Sequence, residues 1–497
     1  MMSSKNEQRT WGVTNLRLAF PKKESMFFKD LTFHYQEGEK ILFLGPSGCG
    51  KSTLLQVLSG LIPGSVELPM RTDRISLPDN WGFIFQDPET QFCMPYVDEE
   101  IAFVLENQQI ERSKMPDLIN HYLRMVGLFF PDSHRLIRTL SGGMKQRLAI
   151  ASVLALEPEV LFLDEPTALL DPDGTRALWE TVREVSHKRT LIIVEHKINH
   201  VLDFIDRVVL FNTSGEIIAD GPKSEVIRNH EKELDDDGIW YPGAWPSYEK
   251  ERSGHAARSK FHDPLLDLDQ FCVYRNKAVT FSLAELKIRQ GEWIAIIGEN
   301  GAGKSTMVEG IMGLIPCSGH VRWHLDHPED EIAFVFQNPE YQFVTDRTDD
   351  EMGFSLVLRG TPPEVVEESV NDSLDRFSLT DQRRQNPFQL SVGQKKRLSV
   401  ASALITRPKV VILDEPTFGQ DARNTFALLD VFQKLRESGT TIIMVTHEME
   451  IVRHFATRVL EIHEGRLVSD RLQTDKPRGR EGEADGPYLD GHGQMVF

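Results

Sequence analysis

Two stretches of this chain have the residues to hold phosphate. Gly45 to Thr53 reads GPSGCGKST and Gly298 to Thr306 reads GENGAGKST. Both fit G-x-x-x-x-G-K-[ST], the phosphate-binding loop. Glycines let such a loop fold so that backbone N–H groups point inward at a helix N-terminus. The candidate cradle is Gly45, Pro46, Ser47, Gly48, Cys49, Gly50, Lys51, Ser52 and Thr53 in the first copy. Gly298, Glu299, Asn300, Gly301, Ala302, Gly303, Lys304, Ser305 and Thr306 form it in the second. Each lysine reaches toward β- and γ-phosphates, and Ser52 and Ser305 offer a hydroxyl to Mg²⁺. Chance yields one such match in roughly one chain in fifty of this length, so two copies point to nucleotide binding.

Further landmarks recur in the same order, about 250 positions apart. FQDPETQF begins at Phe85 and FQNPEYQF at Phe336; LSGGMKQR begins at Leu140 and LSVGQKKR at Leu390. LFLDEPT begins at Leu161 and VILDEPT at Val411, while His196 closes LIIVEH and His447 closes IIMVTH. The chain is an internal duplication. Five ordered landmarks, present twice, resemble two ATP-binding-cassette (ABC) ATPase domains in tandem, over roughly residues 10–230 and 265–470.

That resemblance implies an α/β fold: two P-loop NTPase domains, each with a parallel-sheet core, an antiparallel β subdomain and a helical subdomain. It implies ATP and Mg²⁺ as ligands. Asp164 and Asp414 end apolar strands and would position Mg²⁺ with Ser52, Ser305, Gln86 and Gln337. Glu165 and Glu415 would orient and polarise the attacking water, and His196 and His447 would contact the γ-phosphate. Adjacent carboxylates at the end of a buried strand are costly without such work. Phe20 and Tyr274 are the aromatics expected to stack on adenine. Ser141 and Gly143, and Ser391 and Gly393, open helices suited to the γ-phosphate of a nucleotide held by the opposite domain. One composite site would join Lys51, Ser52, Gln86, Asp164, Glu165 and His196 to Ser391 and Gly393. The other would join Lys304, Ser305, Gln337, Asp414, Glu415 and His447 to Ser141 and Gly143. Asp171 and Asp421 fall where the family has a contact across the pair. Val392 replaces a glycine; its bulk and its aversion to positive φ predict a weaker clamp on the first site.

These groups need elements to hold them. Ile41 to Leu44 and Ile294 to Ile297 read as strands entering the phosphate loops, and Leu54, Leu55, Val57 and Leu58 as the helix leaving the first. Val160 to Leu163 is continuously apolar, as in a buried parallel strand. Alternation from Trp11 to Phe43 predicts antiparallel strands. Leu118, Tyr122, Met125 and Val126, and Val366, Val370, Leu374 and Phe377, predict helices with one core face each. The domains expected are 10–230 and 265–472, with a linker at 231–264 that begins acidic and a polar, disordered tail at 473–497. Trp240, Tyr241 and Trp245 suggest that part of the linker packs onto a domain.

A net charge of −19 argues against general affinity for nucleic acid or anionic lipid. No apolar run approaches the ~20 residues of a membrane span, and the opening MMSSKNEQRT lacks the apolar core expected of a signal peptide. Four scattered cysteines, Cys49, Cys93, Cys272 and Cys317, argue for a reduced cytosolic protein; Cys49 inside the loop is the expected target of thiol reagents. The Q-x-P-x-x-Q-F segments, each followed by an acidic helix start (Asp98, Glu99, Glu100; Asp349, Asp350, Glu351), resemble energy-coupling-factor (ECF) and cobalt-importer ATPases. The acids are read as docking points for a partner's arginine. The resemblance implies a peripheral subunit on the cytoplasmic membrane face. It would pair its domains intramolecularly and work with a transmembrane coupling protein and a small substrate-binding membrane protein. The cargo would be a vitamin or micronutrient, with hydroxymethylpyrimidine or thiamine the specific suggestion. Another fused-ATPase importer of the sugar type, and a soluble tandem ATPase acting on ribosomes, are the alternatives.

Overall fold

A computed structural model describes residues 9–20, 26–46, 48–167, 170, 172–187, 189–251 and 263–473. Ser47, Asp171 and the polar tail from 474 onward lie outside the described residues. Two units emerge. The first gathers described residues within 1–257, 389–397 and 417–434; the second, those within 258–388, 398–416 and 435–497.

In the first unit, six strands form one sheet. Their order is Ile217–Pro222, Arg207–Phe211, Lys40–Leu44, Thr190–Val194, Val160–Asp164, Trp81–Ile84. All neighbours are parallel except the first pair. Val160–Asp164 and Thr190–Val194 are buried at every position, as strands covered on both faces must be. Their register brings the strand ends level. Phe43 lies beside Val194, Asp164 beside Val194 and Ile84 beside Leu163, so four strands end on one sheet edge. A smaller sheet pairs Thr10–Leu18 antiparallel to Phe28–Gln36, with Met70–Arg71 and Arg74–Ser76 on its other side. Helices Val97–Asn107, Met115–Met125 and Gly142–Leu154 bury Ile101, Ile119, Tyr122, Leu123 and Leu148 in a shared core.

The second unit repeats this plan with its sheets joined. Nine strands run from Cys317–Trp323 to Ile332–Val335, and Arg458–His463, Trp293–Ile297, Thr441–Val445, Val410–Asp414 and Ile332–Val335 form the parallel part. A bridge between Ser282 and Arg466 connects the antiparallel part. Val370, Leu374 and Phe377 are buried, as their spacing predicts. Among the described residues no helix is long and apolar enough to cross a membrane.

Each unit pins its outer hairpin with the same arginine. Arg207 donates to Asp220 (2.5 and 2.7 Å), to the His34 carbonyl (3.1 Å) and to Glu39 (3.2 Å). Arg458 donates to Asp470 (2.7 Å twice), to the Lys287 carbonyl (2.7 Å) and to Glu292 (3.3 Å). The second network is drier, because Glu292 is buried whereas the Glu39 side chain keeps 27% of its exposure. Removing one partner of a buried pair strands the other charge at a cost of ~3–5 kcal/mol. Arg458→Met is therefore expected to lower the unfolding midpoint clearly more than Arg207→Met, measured by thermal or urea unfolding of the two variants.

Candidate functional site

The shared sheet edge brings the first set of candidates together. The Lys40–Leu44 strand runs into a loop in which Gly45 has φ 149°. A side chain there would come within 2.8 Å of the Phe211 carbonyl, and at the matching Gly298 (φ 147°) within 2.1 Å of the Ile462 carbonyl. Gly50 and Gly303 cap the helices that begin at Lys51 and Lys304. Lys51 is buried with Nζ 2.7 Å from the Gly45 carbonyl and 2.9 Å from that of Pro46. Lys304 repeats this at 2.8 Å from both Gly298 and Glu299. Each ammonium is thus folded back onto two carbonyls of its own loop.

Around this loop the neighbouring strand ends deliver acid, amide and imidazole. Ser52 Oγ donates to Asp164 Oδ1 at 2.7 Å. Burial pushes the Asp164 carboxyl up to about 6, against the Ser52 hydrogen bond. Gln86 Nε2 donates to Glu165 Oε2 at 3.1 Å, and His196 Nε2 is 2.9 Å from Glu165 Oε1. Burial acts to raise the Glu165 carboxyl, but the His196 hydrogen bond and the charges of His196 and Lys51 hold it below the ordinary range. It is an ionised acceptor at neutral pH. Glu165 has φ 46° and Glu415 φ 52°. A left-handed glutamate is strained, and strain recurring at one position in both copies is typical of working sites. In the second unit His447 Nε2 is 3.0 Å from Glu415 Oε1.

A cavity of about 300 Å³ opens beside the first loop, lined by Phe20, Phe27, Gly48, Gly50, Lys51, Ser52, Thr53 and Glu165. Phe20 meets Phe27 edge-on at 5.0 Å, so the aromatic wall has two rings where the sequence suggested one. Tyr274 sits on the Pro264–Arg275 strand with its hydroxyl 3.0 Å from Ser318 Oγ, and Arg275 beside it pairs with Glu309 of the helix leaving the second loop.

The helix openings behave as caps. Ser141 accepts from the Met144 N–H at 3.3 Å. Ser391 accepts from the Gln394 N–H at 3.3 Å, while Gln394 Oε1 accepts from the Ser391 N–H at 2.9 Å, a reciprocal capping box. Val392 opens its helix and is not among the residues with positive φ. The strain expected of it does not arise; its exposed bulk and the reciprocal cap distinguish this copy.

Three of the six acids at the helix starts, Glu100, Asp349 and Glu351, are internal, which corrects the docking expectation at those positions. Glu100 is buried and accepts from the N–H groups of Cys93 and Met94, both at 2.9 Å. Glu351 does the same for Val344 (2.9 Å) and Thr345 (2.8 Å). Asp349 is held by Arg347 (2.7 Å) and Arg383 (3.1 Å), and Asp98 by His134 (3.2 Å). These carboxylates fasten the loop after Gln86 or Gln337; of the second trio only Asp350 is exposed. The sequence also missed Glu195. It is buried next to His196 and accepts from Thr167 Oγ1 (2.6 Å), the His196 N–H (2.9 Å) and the Lys197 N–H (3.4 Å). Its place in the second copy is taken by Thr446, whose hydroxyl accepts from the Glu448 N–H.

A family model described as ABC transporter matches residues 28–168 and 281–418. A protein of Bacillus subtilis (strain 168) bearing the name "Putative HMP/thiamine import ATP-binding protein YkoD" is 35% identical, over 92% of this chain and 90% of that protein. An ABC transporter ATP-binding protein of Methanosarcina mazei, so named provisionally, is 33% identical over 92% of this chain and 88% of its own. Among solved structures, the archaeal ribosome recycling factor aABCE1, in complex with ribosomal stalk protein aP1, aligns with a TM-score of 0.62 and 20% identity. It covers 88% of this chain and 86% of its own. At that identity the likeness concerns the fold.

Cys49 is 1% exposed beneath the loop, and burial raises its thiol above the usual range although Lys51 pulls the other way. This reverses the expectation of ready modification, since the thiolate is the reactive form. Exposed Cys93 and Cys317 are expected to react with a maleimide first at pH 7–8, with Cys49 lagging at least tenfold by peptide mass mapping. Reaction at Cys49 as fast as at Cys93 would contradict this packing.

Proposed function

Because the chain belongs to the ABC transporter family of ATP-binding proteins, we propose that it is the ATP-hydrolysing energy-coupling subunit of an ECF-type importer for a vitamin or micronutrient. Hydroxymethylpyrimidine or another thiamine-related compound is the first cargo to test, given the name of the Bacillus relative. One observation carries the reading of hydrolysis. A strained glutamate is hydrogen-bonded to a histidine in both copies, Glu165 to His196 and Glu415 to His447.

In this reading Lys51 leaves its carbonyl partners for the β- and γ-phosphates, and loop N–H groups supply the remaining donors. The Glu165 carboxylate, kept ionised by His196, orients the attacking water and draws on its proton. His196 and Gln86 hold Glu165 from either side, so the arrival of a γ-phosphate at His196 is felt at Gln86. Ser52 Oγ, Asp164 and the Gln86 amide form an all-oxygen donor set, which suits Mg²⁺. When bound, that ion neutralises charge on the β- and γ-oxygens. Phe20 and Phe27 provide a wall for the base.

The loop after Gln337 supports the coupling role. Tyr341 is 76% and Val344 64% exposed there, while Glu351 anchors the same loop from inside. A transmembrane partner's cytoplasmic segment would cover these apolar side chains, and a small membrane protein would select the cargo. The protein then works at the cytoplasmic face of the membrane.

Replacing Glu165 and Glu415 together by Gln is expected to reduce ATP turnover by roughly 10²–10⁴-fold. Singly, Glu415→Gln should cost more than Glu165→Gln, because Val392 burdens the first site. A tagged chain recovered from mild-detergent membranes should bring a transmembrane coupling protein and a small substrate-binding membrane protein, identified by mass spectrometry. Recovery of ribosomes without membrane partners would overturn the importer reading.

A further inference from the structure

The segment after the first six-stranded sheet reads EKELDDDGIWYPGAWPSYEKE from Glu231 to Glu251. A solvated tether would be rich in Gly, Ser and charge throughout. Here Ile239, Trp240, Tyr241 and Ala244 are buried. The turn is built to one shape. Asp235 accepts from the Tyr241 hydroxyl at 2.9 Å and from Ser247 Oγ at 2.6 Å. Gly238 has φ 70°, and a side chain there would meet Arg423 Cβ at 2.8 Å.

The turn grips two loops of the first unit. On one side Trp240 forms a parallel β-bridge with Lys197, whose Nζ lies 5.9 Å from the indole centroid. Lys197 follows His196, and Glu195 holds the N–H groups of both. On the other side Trp240 Nε1–H donates to the Gln420 carbonyl at 3.1 Å, and the Ala422 N–H donates to the Gly238 carbonyl at 2.8 Å. Gln420 is itself buried, and its Nε2 donates to the Gly393 carbonyl at 3.1 Å. Phe426 packs edge-on to Trp240 at 5.4 Å and face-on to Tyr248 at 4.2 Å. An unbroken run of contacts thus leads from His196–Lys197 through Trp240 and Gln420 to Gly393. The Asp237 carboxyl, raised by burial and by Asp236, is drawn the other way by the charges of Lys51 and Arg423, so this turn also lies within electrostatic range of the first phosphate loop.

We propose that Trp240 is a positioning residue of the first ATP site, fixing the His196 turn against the Ser391–Gly393 turn through Gln420, so that the connector shapes hydrolysis as well as joining the repeats. The inference rests on the reading of His196 and Gly393 as partners of the first nucleotide. A β-bridge and an indole hydrogen bond are short, directional links. Displacing His196 by even ~1 Å from its working place can cost up to 10²-fold in rate.

The test compares the full-length protein with Trp240→Phe and Tyr248→Phe. Trp240→Phe keeps an aromatic ring in the apolar pocket and the backbone bridge to Lys197, removes the donor to Gln420 and shortens the ring that faces Lys197 Nζ. Tyr248→Phe removes a bond of the same connector, the hydroxyl's donation to Asp430 at 2.6 Å, between the helices Ala244–Glu251 and Ala422–Glu437. Expected for Trp240→Phe is a kcat roughly 3- to 10-fold lower, the worth of one buried hydrogen bond, with KM for ATP within twofold. Tyr248→Phe should keep wild-type kcat even where its unfolding midpoint drops as far. The tryptophan emission change on adding ATP should shrink in Trp240→Phe and persist in Tyr248→Phe. Wild-type kcat in Trp240→Phe, or equal losses in both variants, would overturn the proposal. A wild-type protein that does not hydrolyse ATP would instead overturn the functional reading beneath it.

Discussion

The first site depends on keeping one half-buried carboxylate, that of Glu165, ionised. Glu165 lies at the end of a strand with no exposed position, where a lone charge would shed its proton or unfold the edge. The His196 hydrogen bond at 2.9 Å and the charges of His196 and Lys51 keep it ionised against burial, while Gln86 donates to it from the other side at 3.1 Å. His196 and Gln86 come from different strands, so the pairing holds only if three strands end level. The parallel register supplies this, with Asp164 beside Val194 and Leu163 beside Ile84. The strained φ of 46° arises from the same constraint. The chain must turn sharply after Asp164 so that Asp164 faces Ser52 while the next side chain faces His196.

Duplication provides a control within one molecule. What recurs in both copies answers to the shared chemistry: the lysine folded onto its loop carbonyls, the glutamate at positive φ beside a histidine, the buried Glu100 or Glu351 under the glutamine loop, and the arginine that fastens the outer hairpin. What differs marks where the copies have diverged. Glu195 supports the first histidine turn and Thr446 stands in the second. A carboxylate accepts several N–H groups at once, whereas a hydroxyl accepts fewer and adapts more easily. The first histidine turn is therefore the more tightly specified of the two, and it is the one that the connector also grips.

Residues whose chemistry demands a fixed spacing were legible in the sequence. The phosphate loops, the Asp-Glu pairs, Gln86, Gln337 and both histidines stand at strand ends where their types alone imply a role. So did the α/β plan, because apolar runs alternate with helical periodicity. The acidic helix starts were legible as acids but not as anchors. Whether Glu100 meets solvent or two N–H groups is decided by how the loop from Cys93 folds back over it, and no local pattern encodes that. Val392 escapes for a related reason: its conformation is set by the reciprocal Ser391–Gln394 cap, which places it in ordinary helix. The contacts of Trp240 depend on partners far away in sequence, 180 positions in the case of Gln420, while Glu195 and Phe27 carry no motif that singles them out although their partners are nearer (Thr167, His196 and Lys197; Phe20 and Phe28).

The connector shows why such a residue escapes motif reading although the chain invests heavily in it. A covalent link between two nucleotide-binding repeats already raises their effective concentration, and a loose chain would suffice for that. Burying Trp240 and Tyr241 restricts the connector to one geometry and costs conformational entropy. That cost is offset by apolar burial and by hydrogen bonds whose partners belong to turns next to His196 and Gly393. An ordered connector carries displacement as well as proximity. If the His196 turn moves when a γ-phosphate arrives, Lys197, Trp240 and Gln420 must move with it or break their bonds.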